Sequence, residues 1–264
     1  MTSRPWLAHY PTDVAPELAP SSLAHIPDLV RSASATYSGT IAFTQCMPNG
    51  MNGSLTYDRV DSLSDNFAAY LREALGLKQG DRVAVQMPNS LSYAVVAFGV
   101  FKAGCVLVNT NPLYTAPEMI HQFSDSGAKV LVVSDMFADR LPEVLDKTDI
   151  TTVVTVKISE FFPPLISRVI RMVQKWWNKS LPAIEVAHTG FQEALAVGRA
   201  SQKTESFATY LEGITADSMA ALQYTGGTTG VSKGAVLTHG NLVSNTLQMI
   251  SMNGVYIRPG KEIV

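Results

Sequence analysis

Residues 82–109 read RVAVQMPNSLSYAVVAFGVFKAGCVLVN and contain the pattern that predicts the fold. Two short runs rich in valine, 82–87 and 105–109, flank a longer apolar stretch at 91–103. Short apolar runs fit buried strands, whereas a stretch of about a dozen apolar residues fits a helix, which Gly104 would end. The pattern therefore predicts a strand, a crossover helix and a second strand parallel to the first.

The alternation of helices and strands begins before residue 82. A helix is predicted to open at Tyr57 and to end at Gly76, and residues 78–81 form a turn into the first strand. Apolar residues recur there at spacings of three and four, which places them on one face of the helix. This face consists of Val60, Leu63, Phe67, Leu71 and Ala74.

The alternation also continues downstream. Thr115 is a predicted N-cap of a helix that Gly127 ends. Further strands are predicted at 129–133 and 151–156, with a helix near 137–145 between them. Strands that alternate with crossover helices indicate an α/β fold, with a doubly wound, mostly parallel sheet and flanking helices.

Composition excludes several classes of protein. Apolar residues make up 46% of the chain and charged residues 16%, so a large core can form. A formal net charge of −2 argues against nucleic acid as a partner, because binding to phosphate backbones needs a cationic excess. The N-terminus does not resemble a secretory signal, and the apolar run 91–101 is too short to span a membrane. Cys46 and Cys105 do not suggest a disulfide framework, which fits a cytoplasmic setting.

Residues 160–182 interrupt the rhythm and form a predicted amphipathic insertion. On a helix, the basic residues Arg168, Arg171, Lys175 and Lys179 share a narrow face. The broader face beside it carries Leu165, Val169, Met172, Val173, Trp176 and Trp177. One interpretation is a helix at 165–179 that attaches reversibly to an anionic membrane, peripherally on its inner face. The other is a surface helix whose apolar face packs on the same protein.

The stretch 223–239 carries the strongest chemical pattern. Between Thr225 and Lys233 it holds three glycines, three threonines, one serine and the lysine itself. Glycines allow successive N–H groups to point into one concavity that binds phosphate oxygens, and hydroxyls and a lysine add further contacts. The spacing differs from both the Walker A loop and the dinucleotide fingerprint. We therefore predict a phosphate-binding loop between two strands rather than an ordinary hairpin turn.

Residues around this loop are given structural roles. Thr238 is a predicted helix N-cap, with Leu242, Met249 and Ile250 on the core face of the helix. His239 is interpreted as structural rather than catalytic. The polar residues that follow the second strand, Asn109, Asn111 and Tyr114, are interpreted as loop-forming.

The loop YTGGTTGVSKG at 224–234 resembles that of the adenylate-forming superfamily, which includes acyl-CoA synthetases, and its Gly-Gly form resembles bacterial long-chain fatty acid–CoA ligases. The resemblance extends over the whole chain, including WLAHYP in the N-terminal arm. Similar segments occur in the same order: LGLKQGDRVA (75–84), MPN (87–89), FKAG (101–104), VNTNPLYT (108–115) and DSGAK (125–129).

The resemblance implies a two-step reaction with ATP, Mg²⁺, CoA and a long-chain fatty acid. The fatty acid carboxylate attacks ATP to give an acyl adenylate and pyrophosphate, and CoA then displaces AMP. The loop would hold the β- and γ-phosphates, and the hydroxyl of Thr225 would also help to bind Mg²⁺. The residues implied in nucleotide binding are Thr225, Gly226, Gly227, Thr228, Thr229, Gly230 and Lys233.

The resemblance also implies an organisation into an N-terminal arm, 1–25, and an incomplete AMP-binding domain, 26–264. The family's adenine-pocket motif, adenylation lysine and C-terminal domain would lie further downstream, so the 264 residues alone are expected to be inactive. Two alternatives stay open: an acyl-AMP ligase that uses another acceptor, and a non-catalytic remnant that binds nucleotide or a membrane. A homodimer is also left open.

Overall fold

Seven strands form the central sheet of the computed structural model, which describes residues 4–12, 14–19, 23–202, 206–225, 232–254, 256, 258 and 260. A separate antiparallel pair, β1 and β2, precedes the sheet in the chain. The strands are β1 (Ile41–Cys46), β2 (Asn52–Thr56), β3 (Arg82–Gln86), β4 (Val106–Asn109), β5 (Ala128–Ser134), β6 (Thr152–Val156), β7 (Thr189–Gly190), β8 (Met219–Thr225) and β9 (Lys233–Thr238).

Helices connect and cover these strands. The α-helices are α1 (Ile26–Tyr37), α2 (Tyr57–Ala69), α3 (Leu91–Lys102), α4 (Ala116–Ser126), α5 (Leu141–Asp146), α6 (Pro164–Met172), α7 (Phe191–Ser201), α8 (Ser206–Tyr210) and α9 (His239–Asn253). Short 3-10 helices cover Pro5–His9 and Asp135–Arg140, and π-helical turns cover Tyr70–Ala74 and Val173–Trp177.

The sheet has the order β7-β6-β5-β3-β4-β8-β9, and only its last strand is antiparallel. β3 pairs in parallel with β4 on one side and with β5 on the other. The chain therefore passes from β3 to β4 and then crosses back over β3 to form β5. Alternate residues of β3 face two different layers. Val83 and Val85 pack in one apolar cluster with α2, α3 and α7, and Ala84 packs in a second with α4 and α5. The predicted α/β fold with a mostly parallel sheet is confirmed.

Helix ends near the sheet follow the predicted chemistry. The backbone N–H of Thr115 donates to Oε2 of Glu118 at 2.7 Å, and the two residues form a capping box at the start of α4. Gly127 ends that helix in the left-handed region, with φ of 62°. After α3, Gly104 has φ of 68°, and a Cβ there would lie 2.5 Å from the carbonyl oxygen of Tyr210. Only glycine fits at this position.

Two predicted core faces need correction. Ala74 is exposed, whereas Val60, Leu63, Phe67 and Leu71 are buried. The reason is that α2 continues as a π-helical turn, whose extra residue per turn rotates the positions after Leu71 away from the core.

The second correction concerns α9. Met249 and Ile250 are exposed rather than on a core face, because among the described residues the helix is buried only near its start, at His239 and Val243.

The helix predicted at 165–179 is present as α6 and the π-helical turn that follows it, but it ends at Trp177, so Lys179 lies outside the helix. Its six large apolar side chains are exposed, so the interpretation that this face packs on the body is wrong for the described part of the chain. No helix among those residues is long and apolar enough to cross a membrane.

Candidate functional site

The predicted phosphate loop connects β8 and β9, which form an antiparallel hairpin. Thr225 pairs with Lys233 in this hairpin, so the two ends of the loop lie opposite each other. Because β8 runs parallel to β4, the chain reaches the loop at the carboxyl edge of the parallel sheet. Both Thr225 and Lys233 are exposed. The predicted site residues Gly226, Gly227, Thr228, Thr229 and Gly230 lie outside the described residues.

The base of the hairpin is held by aromatic packing and two hydrogen bonds. Tyr224 pairs with Gly234 across the strands, and a Cβ on Gly234 would lie 3.0 Å from the tyrosine ring. The hydroxyl of Tyr224 donates to Oδ2 of Asp125 at 2.5 Å. Burial and this neighbouring carboxylate raise the pKa of Tyr224. The Nε2 atom of His121 lies 3.0 Å from the carbonyl oxygen of Ser232. Helix α4 thus supports both sides of the loop.

A crevice of about 560 Å³ opens beside the hairpin. Its lining comes from the segments that follow β3 and β4 and from the end of β8, at the edge where parallel sheets bind ligands. α3 leaves this edge towards one face of the sheet and α4 towards the other, which leaves the space between them open. The residues that line it are Met87, Pro88, Asn89, Tyr93, Asn109, Thr110, Asn111, Pro112, Tyr114, Gln223 and Tyr224.

Polar side chains connect the crevice to β8. The hydroxyl of Tyr93 donates to Oδ1 of Asn109 at 3.3 Å, and Nδ2 of Asn109 donates to Oε1 of Gln223 at 3.1 Å. Burial raises the pKa of Tyr93, so this hydroxyl stays protonated at neutral pH.

Asn109, Asn111 and Tyr114, which the sequence pattern favours as loop-forming rather than ligand-binding, all line this crevice. The pairing of Asn109 with Gln223 brings these distant segments together. The indication available in the sequence was a polar residue at the end of each of two apolar runs, Asn109 after 105–108 and Gln223 after 219–222.

The charges at the loop suit an anionic ligand. Lys233 makes no ion pair with any described residue, so its ammonium group is available for a phosphate oxygen. The described ranges contain no cluster of three or more His, Cys, Asp or Glu residues that could hold a metal ion. Mg²⁺ commonly takes few protein ligands and completes its shell with water and phosphate oxygens. The exposed hydroxyl of Thr225 fits one such ligand.

His239 lies directly after the hairpin but does not face the crevice. It is 1% exposed, and its Nδ1 accepts a hydrogen bond from the backbone N–H of Ile26 at 3.4 Å. Burial lowers the pKa of His239 to about 4, so the ring is neutral at pH 7. The predicted N-cap at Thr238 is confirmed, since its hydroxyl accepts from the N–H of Asn241 at 3.1 Å. These contacts favour the structural interpretation of His239.

Comparison with known proteins gives a family and a set of relatives. A sequence model of the family described as "AMP-binding enzyme" matches residues 30–262. The chain is 37% identical to a long-chain-fatty-acid–CoA ligase of Salmonella typhimurium over 98% of its own length, and 29% identical to the Bacillus subtilis ligase of the same name over 93%. It spans less than half the length of these curated relatives, 44% and 42%.

Solved structures share the fold. A long-chain-fatty-acid-CoA ligase from Archaeoglobus fulgidus superposes with a TM-score of 0.65 at 22% identity, over 93% of this chain and 42% of that one. A benzoate CoA ligase from Burkholderia xenovorans superposes with a TM-score of 0.57 at 19% identity, over 84% and 36% respectively. The sheet and its flanking helices therefore have the arrangement found in these enzymes.

Proposed function

Because this chain belongs to the AMP-binding enzyme family, we propose that it supplies the ATP-phosphate-binding part of a long-chain-fatty-acid–CoA ligase. The identity to ligases of that name supports the reaction type and the fatty acid substrate. Because the chain spans less than half the length of those ligases, the complete activity is assigned to the longer form that they represent.

The proposed reaction has two steps. A carboxylate oxygen of the fatty acid attacks the α-phosphorus of ATP, and the bond to the β-phosphate oxygen breaks to release pyrophosphate. The CoA thiol then loses its proton, its sulfur attacks the carbonyl carbon, and AMP leaves with the electron pair of the broken carbon–oxygen bond. Negative charge moves onto the departing pyrophosphate in the first step, so groups that stabilise this charge lower the barrier.

The two ends of the loop have separate roles in this proposal. Lys233 would pair with an oxygen of the β- or γ-phosphate and stabilise the charge that develops there. Thr225 would donate its hydroxyl to phosphate or serve as one ligand of Mg²⁺, which would neutralise phosphate charge when bound. Gly226, Gly227, Thr228, Thr229 and Gly230 would supply backbone N–H and hydroxyl donors between them.

One observation carries the proposal. Thr225 and Lys233 are paired where β8 and β9 meet the loop. The end of β8 also lines the crevice at the carboxyl edge of the sheet. The loop between Thr225 and Lys233 thus begins and ends beside the space where a nucleotide would lie in a parallel α/β sheet.

Binding of Mg²⁺-pyrophosphate and Mg²⁺-ATP to the 264-residue chain tests this role. Isothermal titration calorimetry should show Lys233→Ala binding both ligands about tenfold more weakly, because a charge-assisted hydrogen bond is lost. Thr225→Val should weaken binding by a smaller factor. Lys147→Ala is the matched control, because it removes an exposed lysine that is distant from the loop in the sequence. Equal affinities for wild type and Lys233→Ala would contradict the proposal.

The proposal further holds that the 264 residues alone do not release pyrophosphate in response to fatty acid. A phosphate loop by itself cannot align the carboxylate with the α-phosphorus, and alignment supplies much of the rate. Fatty-acid-dependent release above that of Lys233→Ala would show the opposite. In a form as long as the relatives, product formation that requires CoA separates a CoA ligase from an acyl-AMP ligase with another acceptor.

A further inference from the structure

The helical segment 164–177 presents an apolar surface that no described residue covers. We call this surface the Trp face; it consists of Leu165, Val169, Met172, Val173, Trp176 and Trp177. The exposed fractions of Trp176 and Trp177 are 73% and 87%, and the other four side chains are between 41% and 73% exposed. Isolated exposed apolar residues are common, but six on one short segment are not.

The opposite side of the segment is attached to the body. Ile170 and Gln174 are buried, and the hydroxyl of Ser167 lies 3.0 Å from that of Ser159. Arg171 forms an ion pair with Asp135. At 100° per residue, the centre of this attached side is about 150° from the centre of the Trp face. The attachment therefore directs the Trp face outwards.

Cations flank the Trp face along one side. Arg168 and Lys175 are exposed, and Nζ of Lys175 lies 5.6 Å from the ring centroid of Trp176. Lys179 is also exposed, but it follows the end of the helical segment at Trp177 and has a positive φ of 49°. The sequence contains no acidic residue from 161 to 184. Arg171 does not belong to this flank, because it is paired with Asp135. The basic stripe of four cations predicted from the sequence is thus reduced to Arg168 and Lys175 on the segment, with Lys179 beyond its end.

We propose that the Trp face lies flat on an anionic phospholipid bilayer. Tryptophan favours the boundary between headgroups and acyl chains, and lysine and arginine beside an apolar face attract anionic headgroups. A second copy of the chain fits less well, because two such faces in contact would bring the cations of both copies together without an acidic partner. The charge pattern therefore favours a lipid surface as the occupant.

The position of the segment indicates which edge of the sheet would face the bilayer. Asp135 and Ser159, which hold the segment, follow β5 and β6 at the carboxyl edge of the sheet. The crevice lies at the same edge, beyond β3 and β4. A bilayer bound by the Trp face would thus lie on the side of the sheet where the crevice opens. The membrane contact does not depend on the proposed ligase function.

Vesicle flotation tests the proposal directly. The 264-residue chain is mixed with vesicles of equal parts phosphatidylglycerol and phosphatidylcholine, or of phosphatidylcholine alone, at low and high salt. We expect flotation with the anionic vesicles that weakens as salt rises, and little with the neutral ones. In a Trp6→Phe background, tryptophan emission should shift to shorter wavelength on binding, because only Trp176 and Trp177 then report.

Matched variants separate the two parts of the surface. Trp176→Ser/Trp177→Ser should lower the partition constant by at least about tenfold, and Lys175→Gln and Arg168→Gln by roughly fivefold each. The controls are Met249→Ser/Ile250→Ser, which removes exposed apolar residues on α9, and Arg199→Gln, which removes an exposed cation on α7. Both should bind like the wild type. All these positions are exposed, so circular dichroism should show the fold unchanged.

Three results would overturn the proposal. The first is failure to float with anionic vesicles. The second is flotation that the double tryptophan variant does not reduce, or that is equal with neutral vesicles. The third is a dimer without vesicles, seen by size-exclusion chromatography and lost in the double tryptophan variant, which would make a second copy the occupant. Affinity for Mg²⁺-pyrophosphate is expected to be unchanged in all of these variants, so the membrane contact and the nucleotide site are tested separately.

Discussion

The helices α3 and α6 are both rich in apolar side chains but have opposite surroundings. Ten of the twelve residues of α3 are buried, against one of the nine residues of α6. α3 lies between β3 and β4 in the chain and packs against α2 as well as the sheet. α6 follows β6, near the edge of the sheet, and is held by a few contacts on one side.

The difference shows that apolar content does not by itself assign a helix to the core. In α3, apolar side chains surround the helix, which is typical of a helix covered on all sides. In α6, they are confined to one face and cations lie beside them. A helix of the second kind has an apolar surface that can remain available to a partner.

The largest expected effect comes from placing a carboxylate on each helix. Val96 in α3 is fully buried, and Val96→Asp would bury an unpaired charge. We expect the free energy of unfolding to fall by at least about 4 kcal/mol. Val169 in α6 is 43% exposed, and Val169→Asp should change it by no more than about 0.5 kcal/mol.

Urea unfolding followed by circular dichroism measures both variants. Equal losses in the free energy of unfolding for the two variants would contradict the difference between the helices, because α6 would then be packed in solution as α3 is.

A second prediction compares Lys102 of α3 with Lys175 of the π-helical turn that follows α6. Lys102 in α3 is fully buried; it donates to Oδ1 of Asp65 and to the backbone carbonyl of Asp61 at 2.8 Å and 2.9 Å, and it is ion-paired with the Asp61 carboxylate. Lys102→Met keeps much of the volume but removes the buried cation from two carboxylates, of which Asp65 keeps Arg31 at 4.0 Å. We expect a loss of about 3 kcal/mol in the free energy of unfolding. Lys175→Met, on the exposed π-helical turn, is the control and should have almost no effect on stability.

The cost of Lys102→Met should depend on pH. Burial raises the pKa of Asp65 above its ordinary value, and the charge of Lys102 opposes that rise. Without the lysine, the pKa of Asp65 rises further. A carboxyl whose pKa is raised on folding favours the folded state while it is protonated, and this contribution is lost as pH rises through the folded pKa. The deficit of Lys102→Met should therefore be full at pH 7 and shrink towards pH 4; a deficit independent of pH would contradict this account.

The smallest expected effect concerns the attachment of α6. Asp135 is buried, which raises its pKa, and Arg171 opposes that rise as its closest cation. Arg171→Met should cost about 1–2 kcal/mol, because the guanidinium is partly exposed and the pair is partly screened. Its clearer result should be local: amide hydrogen exchange should become faster in α6 and remain unchanged in α3.

Arg168→Met is the matched control for this variant, since Arg168 is exposed and lies on the same helix. Equal exchange in both variants would mean that the ion pair does not hold the segment.

Local sequence patterns predict much of the parallel sheet and its crossover helices. Valine-rich runs, apolar spacing and helix ends at Gly104 and Gly127 located β3, β4, β5, α3 and α4 within a residue or two. These patterns act locally, because turn geometry and the burial of an apolar face depend on residues a few positions apart. The phosphate-binding role of the loop between Thr225 and Lys233 stays a prediction from its composition.

Which distant segments lie side by side depends on long-range contacts that these local patterns do not contain. The register between β4 and β8 joins Asn109 to Gln223 across 114 positions and so forms the crevice beside the loop. The ion pair between Arg171 and Asp135 removes one cation from the basic stripe and turns the Trp face outwards. The α2 continuation into a π-helical turn exposes Ala74. In each case a sequence pattern shows which residues can share a face, but burial depends on the neighbour that packs there, and that neighbour comes from another part of the chain.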